Sequence, residues 1–163
     1  MIEVSKSQEL VVFVGSPASG KSRTATKVFE TQGYVRVNND EMKTKQKCMK
    51  VATAALQQGK SVVVDNTNPD PGVRAEWISL AKSNGVKTIR CLYFSTPRDI
   101  CDHLNLYREM VEGRPRVPGV ALNTFNSRFV MPTEKEGFAS VQHVQFVLQF
   151  ASEQEKKLFQ MWF

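Results

Sequence analysis

The sequence predicts an α/β fold, with a central, mostly parallel sheet covered by helices on both faces, and three observations predict it. Short apolar runs rich in β-branched residues recur along the chain, the pattern of strands buried on both faces. Stretches of helical character lie between them and close at Gly33, Gly59 and Gly85, the residue type that most readily ends a helix. The first apolar run also leads through a Gly/Ser/Pro loop straight into a helix. Strands alternating with helices need crossover connections, and these pair the strands in parallel.

Each element follows from local signals. Leu10 to Val14 is the first buried strand, Lys21 to Gln32 a helix stopped by Gly33, and Tyr34 to Val37 a strand by alternation. Glu41 to Gln58 predicts one helix ending at Gly59, and Ser61 to Asp65 a buried strand finishing on a carboxylate. A helix from about Pro71 to Asn84, a strand from Lys87 to Phe94 and a helix from Pro97 to Val111 follow. Glu112 to Gly119 holds two Gly, two Pro and two Arg; it is too broken for regular structure and suits a mobile lid. A short helix over Val120 to Phe129, a strand over Val141 to Leu148 and a helix from Ser152 to Trp162 complete the expectation.

At 163 residues the chain fits a single domain over 1–163. No apolar run reaches the roughly 20 residues needed to span a bilayer, so no membrane insertion is expected. The N-terminus lacks the features of a signal peptide. Cys48, Cys91 and Cys101 are odd in number and lack metal-ligand spacing, which predicts reduced packing thiols in an intracellular protein. An excess of 22 Lys and Arg over 16 Asp and Glu, a formal charge of +6, is compatible with a polyanionic partner and equally with a small-molecule nucleotide enzyme.

The sharpest motif is Gly15, Ser16, Pro17, Ala18, Ser19, Gly20, Lys21, Ser22, which fits G-x-x-x-x-G-K-[ST] between a strand and a helix. Its glycines allow a tight loop whose N–H groups turn toward phosphate oxygens. Lys21 is then placed for the β- and γ-phosphates, and Ser22 offers a hydroxyl to Mg²⁺, an ion that prefers oxygen ligands. The fold class sharpens to a P-loop NTPase-type three-layer fold with an Arg-containing lid, and the expected cofactors are a nucleoside triphosphate and Mg²⁺; the loop alone does not separate kinases from ATPases, GTPases or inactive binding modules.

Ligands of such sheets sit beyond the carboxyl ends of the strands, where the chain supplies Asn38, Asn39 and Asp40, then Asp65, Asn66, Thr67 and Asn68. Asp40 suits a general base for an attacking hydroxyl and equally a helix N-cap. Asp65 suits an organiser of Mg²⁺, with an N-cap or turn role as the alternative. Arg128, beyond the broken loop, is expected to bind the nucleotide, while Arg114 and Arg116 read more simply as solvent-exposed cations. Trp77, Phe138 and Trp162 read as packing, and His103 as a structural hydrogen-bonding residue.

Five segments carry a resemblance: residues 15 to 22, Gly33 to Asp40, Val63 to Asp70, His103 to Met110 and Met131 to Phe138. Over nearly its whole length the chain resembles the kinase domain of eukaryotic polynucleotide kinase-phosphatases. The resemblance implies transfer of the ATP γ-phosphate to the 5′-hydroxyl end of DNA, or RNA, in strand-break repair, and a nuclear location. It implies Asp40 as base, Arg108 as the lid arginine on the transferring group, Asp65 beside metal and acceptor, and Lys43 and the 66–68 segment at the acceptor. Asn39, Asp102 and Leu104 depart from the family's basic and amide residues, and Lys45, Lys47, Lys50 and Arg74 are candidate substitutes, though each singly reads more simply as part of a solvated basic helix face. The D-x-D-x-T/V loop of the phosphatase half is absent, so kinase activity alone is expected, from a monomer that a bifunctional parent would make one excised domain. A small-molecule kinase, or an end-binding module without transfer, are the other readings.

Overall fold

In the computed structural model, which describes residues 2–147 and 152–161, five parallel strands make one sheet. They are β1 (Glu9–Gly15), β2 (Val35–Val37), β3 (Val62–Val64), β4 (Thr88–Phe94) and β5 (Ser140–Val144), in the order β2-β3-β1-β4-β5. Every described pair is parallel. The helices are α1 (Lys21–Thr24), α2 (Asn39–Met42), α3 (Lys45–Gln57), α4 (Pro71–Ser83), α5 (Arg98–Glu112), α6 (Gly119–Arg128) and α7 (Glu153–Gln160).

The unbroken apolar run of β1 is explained by its two faces. Leu10, Val12 and Val14 point into the layer formed with Ala52, Ala55 and Leu56 of α3 and Trp77, Ile78 and Ala81 of α4. Val11 and Phe13 point the other way, toward Ala25, Phe29 and Tyr34. These five apolar side chains are buried, each contributing about 1.5–3 kcal/mol on leaving water. Trp77 and Phe138 belong to the first layer, and the three cysteines are free and buried, as packing roles require. Trp162, Leu148 and the strand expected beyond Val144 lie outside the described residues or beyond β5.

Two expected helices are built differently. The helix over 21–32 is an α-turn that widens into a π-helical turn at Ala25–Phe29 and tightens to 3-10 at Glu30–Gln32. Phe29 there meets Phe13 and Tyr34 at ring-centroid distances of 5.5 and 5.1 Å. The helix expected over 41–58 is two helices. Lys43 takes a left-handed backbone at φ 72°, and the Thr44 side chain accepts from Lys47 N to start α3 afresh. A β-hydroxyl cap satisfies an otherwise orphaned N–H, so a new helix can begin where a continuous apolar pattern suggested none.

Candidate active site

The loop after β1 depends on glycine at both ends. A Cβ on Gly15 would lie 2.9 Å from Phe94 Cβ, and Gly20 holds φ 94°, a region other residues reach only at a cost. Within the loop Lys21 Nζ donates to Gly15 O at 2.9 Å, Ser16 O at 2.6 Å and Ser19 Oγ at 3.2 Å. Burial pushes its ammonium down to about 8, against the opposing pull of Asp65, Cys101 and Asp40. A cation this deeply desolvated is one that added phosphate charge would favour strongly.

Two clefts open on either side of this loop. One, of about 540 Å³, is lined by Ser19, Gly20, Lys27, Phe94, Leu104 and Arg114 among others. The second, of about 530 Å³, is lined by Pro17, Asn39, Asp40, Lys45, Asp65 and Arg128 among others. Ala18, Lys21, Ser22 and Arg108 line both. Arg108 is half-buried, and its Nε is buried without a hydrogen-bond partner among the described residues. A cation at the junction with an unused donor is what charge passing between two bound ligands requires.

The second cleft has a heavily braced wall. Asn38 caps α2, its Oδ1 accepting from Asp40 N at 3.0 Å and Glu41 N at 3.2 Å. Its Nδ2 donates to Asp65 O at 2.7 Å and Asp65 Oδ2 at 3.2 Å. Arg36 donates through Nε to the same Oδ2 at 2.8 Å, its NH2 lying 2.7 Å from that atom. Burial alone would lower the Arg36 guanidinium, but its bonds to Asp65 and Glu41 outweigh that and hold it above the usual arginine range. Asp65 is 1% exposed, and its Oδ1 is buried with no partner among the described residues.

The capping alternatives for the two carboxylates therefore fall away: Asn38 caps α2 and Asp70 caps α4. Asp40, one residue into α2, is exposed on the cleft wall. Asn66 and Asn68 line the cleft but are committed as braces. Asn66 Oδ1 accepts from Asn39 N at 2.8 Å, and Asn68 Nδ2 donates to Phe13 O at 2.7 Å. Thr67 O accepts from Gly15 N at 3.2 Å, so the 66–68 segment ties the wall of the second cleft to the P-loop.

Several expected cations sit elsewhere. Arg128 does not line the first cleft; it stands in the second one, paired with Asp70. Its place in the first is taken by Arg114, whose N donates to Arg108 O at 3.2 Å. Lys43 is exposed and lines neither cleft, because its left-handed turn carries the chain past the wall, and Lys45 lines it instead. Arg74 is no surface cation. It is fully buried, held bidentately by Glu136 at 2.7 and 2.8 Å and by the carbonyls of Asn68 and Pro69. The 131–138 motif thus braces the cleft from behind. Asp102 is spent on Arg98 at 2.9 Å, and Leu104 lines the first cleft.

Two site residues escaped the sequence reading. Arg36 reads as a polar position of an alternating strand, and nothing local marks its partner 29 residues on. Asn105, in the segment from His103 to Met110, is buried and bonds Val117 in both directions at 2.8 Å, closing the broken lid onto the helix that carries Arg108. His103, buried, contacts Phe159 O at 2.9 Å through Nε2, a structural bond between α5 and α7.

The donor set suits Mg²⁺. Ser22 contributes a hydroxyl and Asp65 a buried, unpartnered carboxylate oxygen. No group of three or more His, Cys, Asp or Glu side chains able to hold a metal occurs among the described residues. Oxygen donors too few to complete a shell fit an ion that keeps water and phosphate ligands.

Comparison with known proteins adds the following. A family model described as an AAA domain matches residues 10–132. A fission yeast (Schizosaccharomyces pombe) protein named bifunctional polynucleotide phosphatase/kinase is 46% identical over 87% of this chain and 35% of its own. A mimivirus (Acanthamoeba polyphaga mimivirus) protein named putative bifunctional polynucleotide phosphatase/kinase is 38% identical over 86% of this chain and 34% of its own. The chain spans about a third of the length of these curated relatives. Among solved structures, a fungal RNA kinase superposes with a TM-score of 0.65 at 16% identity, over 93% of this chain and 43% of that one, a likeness of fold.

Proposed function

The chain belongs to the AAA domain family and is homologous to proteins named polynucleotide phosphatase/kinase, and on that premise we propose that it is an ATP-dependent polynucleotide 5′-hydroxyl kinase. The observation that carries the reading is the pair of clefts meeting at Ala18, Lys21, Ser22 and Arg108. A hydrolase needs one ligand and a water, whereas two organic ligands facing one cation describe group transfer.

In this reading the triphosphate lies along Gly15 to Ser22, with its base toward Leu104, Arg114 and Val144. The acceptor 5′-hydroxyl enters the other cleft. Asp40 accepts its proton as the oxygen forms a bond to the γ-phosphorus. The bond from that phosphorus to the β-γ bridging oxygen breaks, and ADP leaves. Lys21 and Arg108 face the charge that spreads over the transferring group, the largest lever in such loose transition states. Ser22 and Asp65 would hold Mg²⁺, which when bound neutralises charge on the phosphates.

The acceptor we favour is DNA, with RNA the competitor, and the role we favour is end healing in strand-break repair in the nucleus. Support comes from the homologues' names, from the net charge, and from Lys45 and Arg128 on the wall of the second cleft. The experiment is label transfer from γ-labelled ATP to matched 5′-hydroxyl DNA and RNA oligonucleotides and to a free nucleoside, beside Asp40→Asn. Transfer to oligonucleotides that the variant loses supports the reading. Equal transfer to the nucleoside would make the chain a small-molecule kinase, and ATP binding without transfer would leave a binding module.

A further inference from the structure

We infer that Arg36 is a positioning residue of the transfer site: it fixes the spacing of Asp40 and Asp65 and keeps one Asp65 oxygen uncommitted. The inference rests on the kinase reading and adds a residue that the reading does not use.

The first ground is how the guanidinium is spent. Three buried arginine–carboxylate pairs occur among the described residues. Arg74 grips Glu136 through both oxygens, and Arg90 grips Glu9 through both. Such fork-to-fork pairing is the favoured geometry of a guanidinium on a carboxylate. Arg36 departs from it. Its Nε and NH2 both lie against Asp65 Oδ2, at 2.8 and 2.7 Å. Asn38 Nδ2 adds a third donor to the same atom at 3.2 Å, while Oδ1 has none. An isolated buried carboxylate with one idle oxygen is costly, and the two other pairs show that this chain can satisfy both. Loading Oδ2 threefold holds the carboxylate plane still and leaves Oδ1 for a donor that arrives with the ligands.

The second ground is the reach of the third nitrogen. Arg36 NH1 donates to Glu41 Oε1 at 2.7 Å, and Glu41 directly follows Asp40. Glu41 is 63% exposed, so the contact adds little stability. Its effect is geometric. Arg36 on β2 thereby joins the end of β3, where Asp65 sits, to α2, where Asp40 sits. Asn38 makes the parallel connection through the α2 cap and Asp65 O. Two independent ties across one gap fix it in a way that one does not. Arg36 lines neither cleft, so it acts through Asp65 and Glu41, with no contact to substrate.

The test compares Arg36→Met, Arg36→Lys and Arg36→Ala with the unaltered chain, measuring kcat, KM for ATP and for oligonucleotide, and thermal unfolding. The expected result is a fall in kcat of about 10- to 100-fold in Arg36→Met, the scale of a sub-ångström to ångström misplacement, with KM for ATP little changed. Arg36→Lys, which keeps charge but cannot span Asp65 and Glu41 together, should recover only part. Added ethylguanidinium should restore turnover to Arg36→Ala and leave the unaltered chain unaffected, a response that a general loss of folding would not give. If Arg36→Met does not fold, Arg36→Met/Asp65→Asn removes the stranded buried charge; it should fold and stay below Asp65→Asn in kcat. A folded Arg36→Met with kcat within twofold of the unaltered chain, or a double variant equal to Asp65→Asn, overturns the inference while the kinase reading stands. Absence of transfer by the unaltered chain overturns both.

Discussion

The two ends of the sheet hold the same chemistry to opposite purposes. At the end where the strands begin, Glu9 is fully buried, gripped by Arg90 at 2.6 and 2.7 Å, and accepts from Tyr34 OH at 2.6 Å. Both Glu9 oxygens are satisfied, and burial followed by the Glu9 contact pushes the Tyr34 phenol up to about 12. At the end where the strands finish, Asp65 is as buried and as paired, yet Asp65 Oδ1 and Arg108 Nε have no partner among the described residues. Closed networks resist change, and open ones wait for a ligand. The difference between the ends locates the site as directly as the motif does.

The comparison breaks most visibly at Asp40. Asp40→Asn should lower transfer by about 10²- to 10⁴-fold, the range for losing a positioned base, while leaving the melting temperature nearly unchanged, since its side chain is exposed and caps nothing. Steady-state transfer beside a melting curve checks both halves. Arg108→Ala should cost about 10³-fold in turnover, again at little cost in stability, because its Nε has no partner to strand.

Glu9→Ala should do the reverse. Removing one partner of a buried pair typically costs about 3–5 kcal/mol, which for a chain of this size lowers the melting temperature by about 10 °C. Turnover per folded molecule should stay within about twofold, because Glu9 lies at the opposite end of the sheet from the clefts. Denaturant unfolding with active-site titration separates the two. A large loss of specific activity in Glu9→Ala would mean that the ends are coupled and that the contrast drawn here is false.

Smaller and more local is the effect expected at Asn105. Its side chain makes two bonds to Val117, so Asn105→Ala should free the loop between Gly113 and Val117 from α5. Arg114, which lines the nucleotide-side cleft, would then be held less firmly. We expect about a tenfold rise in KM for ATP, corresponding to one or two net hydrogen bonds, with oligonucleotide affinity little altered.

How much of this was legible in the sequence depends on how far apart the interacting residues are. The phosphate loop and the carboxylate ending β3 are local: a glycine pattern, a buried run and one acid suffice. The same holds for most elements, whose ends fall within a residue or two of the glycine and proline signals. Arg36 and Asp65 are paired across two strands, and Arg74 and Glu136 across 62 residues. A cation in a short alternating segment, or on a helix, reads as solvated until the partner is seen, and Arg74 was misread for that reason. Lys43 shows the converse failure. Its left-handed backbone belongs to no residue type with a strong preference for that region, so neither the break between α2 and α3 nor the exchange of Lys43 for Lys45 at the cleft had a local sign. The placement of Arg128 depended on where α6 packs, which no periodicity reveals.

The mildest test concerns Lys21, whose two ligand states set opposite slopes with pH. In the empty protein, burial lowers its ammonium from 10.5 to about 8, whereas bound phosphates favour the charged form. As pH rises through about 8 the free protein loses that proton, and binding must take it back. ATP affinity should therefore fall about tenfold between pH 7 and pH 9 by linkage, with proton uptake measurable by calorimetry in buffers of different ionisation enthalpy. Folding of the empty protein responds the other way. The unfolded chain holds the Lys21 proton up to about 10.5 and the folded one only to about 8, so between those values the unfolded state binds more protons and Lys21 makes stability rise with pH. Lys21→Met should flatten both slopes together. If it flattens the stability slope and leaves the affinity slope intact, the group that gains the proton on binding is another one that titrates near pH 8, and an arginine, charged throughout this range, cannot be it.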